Sequence, residues 1–152
     1  MGLFDAMTVT ATGLTAERLR MDTIAANLAN ANSTRRADGQ PGPYLRREVM
    51  LQEAGVTPAG PAPSFSTFGD FAASTTPGGV QVVGIVEDPN GTGLKYDPTS
   101  PDADAKGYVR TPNVNAVTEM TDLITATRAY EANTTSMNAI KNEFSRAIDV
   151  LR

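Results

Sequence analysis

The sequence predicts a mainly α chain with a small β module: long N- and C-terminal helices pairing as a coiled coil, and between them a Pro/Gly-rich β region with a mobile loop. Two observations lead there. All ten prolines lie between Pro41 and Pro112 and eleven of the thirteen glycines between Gly39 and Gly107, so the ends are almost free of helix breakers. Apolar residues also recur every seven positions at both ends, the pattern of a helix seam. The chain then divides into an N-terminal coiled-coil helix (1–34), a central β module (35–114) with a flexible loop (53–78), and a C-terminal coiled-coil helix (115–152) that pairs with the first.

In the first part Met7, Leu14, Met21 and Leu28 are spaced by seven, with Leu3, Ile24 and Ala31 on the adjoining ridge. Thr10 and Glu17 interrupt that ridge, and Gly13 weakens its middle by roughly 1 kcal/mol relative to Ala. A helix from Leu3 to Asn30 would be on the order of 40 Å long. It runs out in "NLANANSTRR", Asn27 to Arg36. Leu28 and Ala31 still belong to the seam, so Asn27 and Asn30 would lie beside it, where amides donate and accept across an interface and fix its register. Asn32 to Thr34 suit an exit, since Asn tolerates the left-handed conformation and Ser and Thr bond locally.

In the centre, "YLRREVMLQ" (Tyr44 to Gln52) and "GVQVVGIVE" (Gly79 to Glu87) have the β-branched content of strands, and "YVR" at Tyr108 reads as a short third. "EDPNGTG" is a turn sequence. The run from Glu53 to Gly78 is rich in Ala, Pro, Ser, Thr and Gly and reads as a long loop. Its Phe65, Phe68 and Phe71 are either a local staple under the β module or an anchor on a neighbouring molecule.

The last part is the more regular. Ala116, Leu123, Tyr130, Met137, Phe144 and Leu151 are spaced by seven without a break, flanked by Met120, Ile124, Ile140 and Ile148. Asn115 is placed to cap the start, and Glu119 and Asp122 set negative charge near the positive end of the helix. A helix from Ala116 to Leu151 is on the order of 50 Å long. Two such stripes read most plainly as a helical hairpin or bundle core. Rods this long bury one seam against each other and leave further apolar positions bare, each worth roughly 1.5 to 3 kcal/mol if covered; neighbouring copies or relatives would supply that cover.

Composition excludes more than it suggests. The chain has 40% hydrophobic and 6% aromatic residues, a mean hydropathy of -0.25, and neither Cys nor His. Disulfides, thiolate metal sites and cysteine nucleophiles are thereby absent, as are the commonest metal ligand and the commonest neutral-pH base, which argues against an enzyme and predicts no cofactor and no metal. The net charge of -4 is spread thinly, so no segment grips nucleic acid by charge. No apolar run approaches the roughly 18 residues that span a membrane. Arg18 is the first basic residue, which fits no secretory signal, and in "MGLFDA" Ala6 stands where myristoylation wants Ser or Thr. Composition alone therefore points to the cytoplasm.

Four chemical motifs fail on inspection. Asp102, Asp104 and Gly107 imitate a calcium loop, but Lys106 and Asn113 occupy ligand places. Gly91 and Gly93 lack the rest of a phosphate loop. Glu87, Asp88, Asp97 and Asp102 lie in polar turns where nothing sets two carboxylates apart for acid and base roles. Arg35, Arg36, Arg46 and Arg47 have only Tyr44 near for stacking on a nucleic acid, so a solvated face or interface ion pairs fit them better. Sequons at Asn32, Asn90 and Asn133 look like chance, the last being inside a predicted helix.

"GLTAERLRMDTIAANLANANSTR", "GVQVVGIVEDP", "YDPTSPDADAKGYVRTPNVN" and "EMTDLITATRAYEANTTSMNAIKN" together resemble the bacterial flagellar basal-body rod proteins, most of all the proximal rod subgroup. "NLAN" followed by Thr34 resembles the signature of the whole rod and hook group, and "YVRTPNVN" leading into "RAYEAN" that of the subgroup. The longer connection "RADGQP" before Gly42, Tyr44 and Arg46 also resembles the subgroup, whereas the resemblance does not extend to the Phe-bearing loop from Glu53 to Gly78. The resemblance implies a structural protein whose terminal helices form the inner coiled-coil layer of a helical tube, with the β module outside. It further implies export by the flagellar type III apparatus without a cleaved signal and assembly in the periplasm, in place of the cytoplasm. Implied partners are other proximal rod proteins, the distal rod protein, the ring-to-rod junction protein and the export apparatus, with no nucleic acid and no membrane insertion.

On this reading the assembly interface is Leu14, Met21, Ile24, Asn27, Leu28, Asn30, Leu123, Tyr130, Asn133, Met137, Asn138 and Phe144, with Phe65, Phe68 and Phe71 as a loop anchor. Two rivals are a secreted type III coiled-coil effector that forms a discrete complex and a periplasmic wall hydrolase.

Overall fold

The computed structural model describes residues 2–36, 42–54 and 78–150. Among them the chain forms α1 (Leu3–Ala29), β1 (Arg47–Glu53), β2 (Val80–Glu87), β3 (Thr92–Tyr96), β4 (Tyr108–Pro112) and α2 (Ala116–Val150). Phe65, Phe68, Phe71 and Leu151 lie outside the described residues.

Each long helix is closed at its start by a nearby side chain. The Gly2 N–H donates to Asp5 Oδ2 at 2.8 Å, and Asn115 Oδ1 accepts from the Val117 and Thr118 amides at 3.0 and 3.4 Å, the cap expected for α2. Threonines are frequent in both helices despite their stiffness, and most return their hydroxyl to a carbonyl one turn back, as Thr10, Thr23, Thr121 and Thr134 do. α1 ends at Asn30, whose backbone (φ -101°) is not left-handed. A turn continues from there, with the Ser33 N–H donating to Asn30 O at 3.0 Å.

The helices pack antiparallel in one register. Asn27 meets Glu119, Met21 meets Thr127, Gly13 lies against Asn133, and the rings of Phe4 and Phe144 meet edge-on at 5.6 Å. On α2 the sheltered row is Glu119, Leu123, Ala126, Tyr130, Asn133, Met137 and Ile140, alternating steps of four and three. Leu123, Tyr130 and Met137 fall where the spacing predicts. Met120, Ile124 and Ile148 do not flank the seam; each is at least half exposed, and small or polar residues take the inner ridge because they let the two backbones approach.

β1 and β2 are antiparallel from Arg47↔Glu87 to Glu53↔Val80, with a bulge between Met50 and Leu51 that leaves Val83 as the extra residue. Val49, Leu51, Val80 and Val82 turn toward α1. The start of β2 is seated on that helix: the Val80 N–H donates to Thr12 Oγ1 at 3.1 Å, and a Cβ on Gly79 would stand 2.2 Å from the same oxygen. β3 and β4 pair from Thr92↔Pro112 to Tyr96↔Tyr108. The turn between them closes on Gly107 (φ +81°), beneath the Tyr96 ring. The sequence reading finds β4 at "YVR" but not β3, because five residues with Gly93 and Lys95 and little burial carry neither alternation nor an apolar run.

The core is slight. Ala16, Ile24, Val109 and Ala126 are its buried apolar members, joined by buried Thr23, Asn27 and Glu119. Large apolar side chains lie outside on every element, among them Phe4, Val83, Ile85, Leu94, Tyr96, Val117 and Ile124.

Candidate assembly interface

A buried cluster of polar groups joins the end of α1, the approach to β1 and the first turn of α2. Asn27, 1% exposed, uses its whole amide. Its Nδ2 donates to Arg47 O at 2.8 Å and to Glu119 Oε2 at 3.1 Å, while its Oδ1 accepts from the Arg47 N–H and the Tyr44 hydroxyl, both at 2.9 Å. Glu119, also 1% exposed, takes Arg46 Nε on its other oxygen at 2.7 Å. This hydrogen bond to Glu119 holds the Arg46 guanidinium above its ordinary pKa against the opposing effect of burial. Burial raises the Tyr44 phenol, with the charge of Arg47 opposing. Arg47 also stacks over the Tyr44 ring, 5.5 Å from its centre. Two buried amide donors, two acceptors and a buried carboxylate are thus satisfied together, which is what makes their burial tolerable.

A second set of ion pairs lies just outside. Asp102 accepts from Arg35 Nε and from the Thr34 hydroxyl, both at 2.8 Å, tying the β3–β4 turn to the exit of α1. These hydrogen bonds, Arg35 first, hold the Asp102 carboxyl below its ordinary pKa. Glu87 receives both Arg36 and Arg47 at 2.9 and 3.1 Å. All four arginines of the basic cluster are therefore paired within the chain, the ion-pair reading and not the phosphate one. Asp104 accepts from the Lys106 and Tyr108 amides, which accounts for the resemblance to a calcium loop as turn geometry. Among the described residues no group of three or more acidic, His or Cys side chains is placed to hold a metal ion, and no helix is long and apolar enough to cross a membrane.

The candidate interface residues separate in space. Ile24 and Asn27 are buried; Leu14, Met21, Leu28, Leu123, Tyr130, Asn133 and Met137 are half-buried along the helix pair; Asn138 and Phe144 are exposed. Asn30 donates to Ala26 O at 2.9 Å and accepts from the Ser33 hydroxyl, so it serves the helix exit. Sequence reasoning assigned Glu119 to the helix dipole and Arg46 to a basic cluster and to the Gly42, Tyr44, Arg46 step, and did not pair the two. The available signal was position: Glu119 lies seven residues before Ala126 on the inner ridge, where a carboxylate needs a cation. Glu17, the defect in the α1 ridge, has a buried Oε2 with no hydrogen-bond partner.

A helical pair with a polar clamp at one end, a slight core among the described residues and apolar rows left outside fits a structural subunit packed among neighbours. Comparison with known proteins narrows the class. Residues 7–37 match the family described as flagella basal body rod protein, and residues 105–150 match the C-terminal family of the flagellar basal body rod FlgEFG proteins. The chain is 43% identical to the flagellar basal-body rod protein FlgC of Borreliella burgdorferi over 100% of this chain and 99% of that one. To FlgC of Bacillus subtilis it is 43% identical over 99% of each, and to FlgC of Salmonella typhimurium 34% identical over 93% and 92%. The chain belongs to the FlgC-like flagellar basal-body rod proteins, a structural and not an enzymatic family.

Proposed function

We propose that the chain is a structural subunit of the proximal rod of the flagellar basal body, assembling with related rod proteins into a helical tube that transmits torque and supports motility. The observation that carries this is the apolar surface outside the helix pair. Val117, Met120 and Ile124 form one row on α2, 73%, 50% and 56% exposed, a loss for a free monomer that neighbouring subunits would recover.

In this reading segments 1–34 and 115–152 pair as a coiled coil and segment 35–114 lies outside them. Leu14, Met21, Leu28, Leu123, Tyr130, Asn133, Met137, Asn138 and Phe144 shape the helix interface, and Phe65, Phe68 and Phe71 anchor on a neighbour. Ile24, Asn27 and Asn30 act through the clamp and the helix exit. The partners are other proximal rod proteins, the distal rod protein, the ring-to-rod junction protein and the type III export apparatus. The place of assembly is the periplasm, reached without a cleaved signal. A strain lacking the chain is expected to lose swimming and to regain it with the wild-type copy, and a map of its basal body should place the chain in the rod. Normal swimming in the deletion strain refutes the proposal.

A further inference from the structure

Each hairpin carries an exposed face with its own charge, and the two faces are unlike. In an antiparallel pair opposed residues share a face, and faces alternate along the strand. Glu48↔Val86 and Met50↔Gly84 therefore share one side of β1–β2, and Met50, Val86 and the bulge residue Val83 are exposed on this hairpin. Leu94↔Arg110 and Tyr96↔Tyr108 form the side of β3–β4 opposite buried Val109, and Leu94, Tyr96 and Tyr108 are exposed there with the two rings edge-on at 5.3 Å. The first face is aliphatic and carries an acid. Glu48 is 74% exposed and has only a 3.6 Å contact to Arg46, whose Nε is already given to Glu119. The second face is aromatic and carries Arg110, which forms no ion pair among the described residues.

We infer that these faces are the two halves of one contact, the Leu94, Tyr96, Tyr108 and Arg110 face of one copy seating on the Glu48, Met50 and Val86 face of a second copy of this chain. Tyr96 and Tyr108 then cover Met50 and Val86, and Arg110 meets Glu48. The inference rests on the assembly reading and names the surfaces through which assembly runs. Tyr and Arg are the residue types that dominate such contacts. Each copy offers one face and accepts on the other, so the contact is heterologous and propagates. Self-pairing of either face sets Arg110 against Arg110 or Glu48 against Glu48, which works against closed dimers. Two hairpin faces bury less than the ~1,200 Å² of a stable free-standing interface, so the contact is weak in dilute solution and depends on helices packed alongside.

Absence of native cysteine makes the test direct. Full-length Met50→Cys and Tyr96→Cys variants, mixed at high concentration and mildly oxidised, should give severalfold more mixed dimer than either homodimer, and the double variant should give a ladder beyond dimer. Arg110→Glu in the Tyr96→Cys chain should suppress the mixed product, and Glu48→Arg in the Met50→Cys chain should restore it. Circular dichroism checks each variant for helix, and Val86→Cys with Leu94→Cys replaces any that fails. Equal yields of mixed and homodimers, no mixed product, or indifference to the charge exchange overturns the inference. Basal bodies separate it from the broader reading: an Arg110→Glu chain that still enters the rod and supports swimming refutes this contact alone, whereas a wild-type chain absent from the rod refutes the rod assignment.

Discussion

Asn27 shows how much one residue does in a chain with so small a core. Replacing it with Ala leaves the Glu119 oxygen, the Tyr44 hydroxyl and both backbone groups of Arg47 to find other partners in a buried site. The expected cost is about 3 kcal/mol, or a thermal midpoint lower by roughly 10 °C, read by circular dichroism. A midpoint unchanged within error would show that the clamp does not hold the fold. Asp102 supplies a pH signature. Its carboxyl is held below the ordinary value, so the folded state binds its proton less readily than the unfolded one. The tether to Arg35 and Thr34 is fully present above about pH 4 and is lost as pH falls through the lowered value. Asp102→Asn should shrink the loss of thermal midpoint between pH 7 and pH 3. The importance of Asn27 was legible in the sequence, but its partner was not, because Glu119 lies 92 residues away and no local pattern joins them.

At the scale of elements, periodicity located both helices to within a residue or two and placed Leu123, Tyr130 and Met137 on the seam. It misjudged the flanking ridge, since hydrophobicity marks Met120 and Ile124 as core while close approach of two backbones favours Ala126 and Asn133. Seven-residue spacing cannot tell these apart. Gly13 belongs to the same issue: a Cβ there would come 3.1 Å from Asn133 Nδ2, the movable end of a side chain. Gly13→Ala should therefore stabilise by up to about 1 kcal/mol through helix propensity, with Asn133 giving way by a few tenths of an ångström. A lower midpoint would show that Asn133 cannot move. The exposed row behaves oppositely. Met120→Lys with Ile124→Lys should leave the monomer's helicity and midpoint nearly unchanged, yet abolish incorporation into basal bodies and swimming. Normal swimming of that variant would remove this row from the interface. Strand β3 was illegible for want of burial: its pairing with β4 fixes it, and pairing leaves no mark on a five-residue exposed segment.

For the whole molecule, thin composition and bare apolar rows are one fact seen twice. With Ala16, Ile24, Val109 and Ala126 as the buried apolar core among the described residues, the fold leans on its polar clamp and leaves surfaces for neighbours to cover. Glu17→Leu should raise the monomer's midpoint by about 1 kcal/mol equivalent, because it removes a buried oxygen without a partner; no gain would mean that Glu17 finds a donor in solution. The clamp also has a consequence in time. Asn27 emerges early in synthesis, but the carboxylate that completes its site belongs to the opening turn of the final helix. Before that turn is made Asn27 can hold the Arg47 backbone and the Tyr44 hydroxyl, but its remaining amide hydrogen and the Arg46 guanidinium lack their carboxylate. The clamp therefore closes only once the first turn of α2 has been made, after α1 and all four strands are already present.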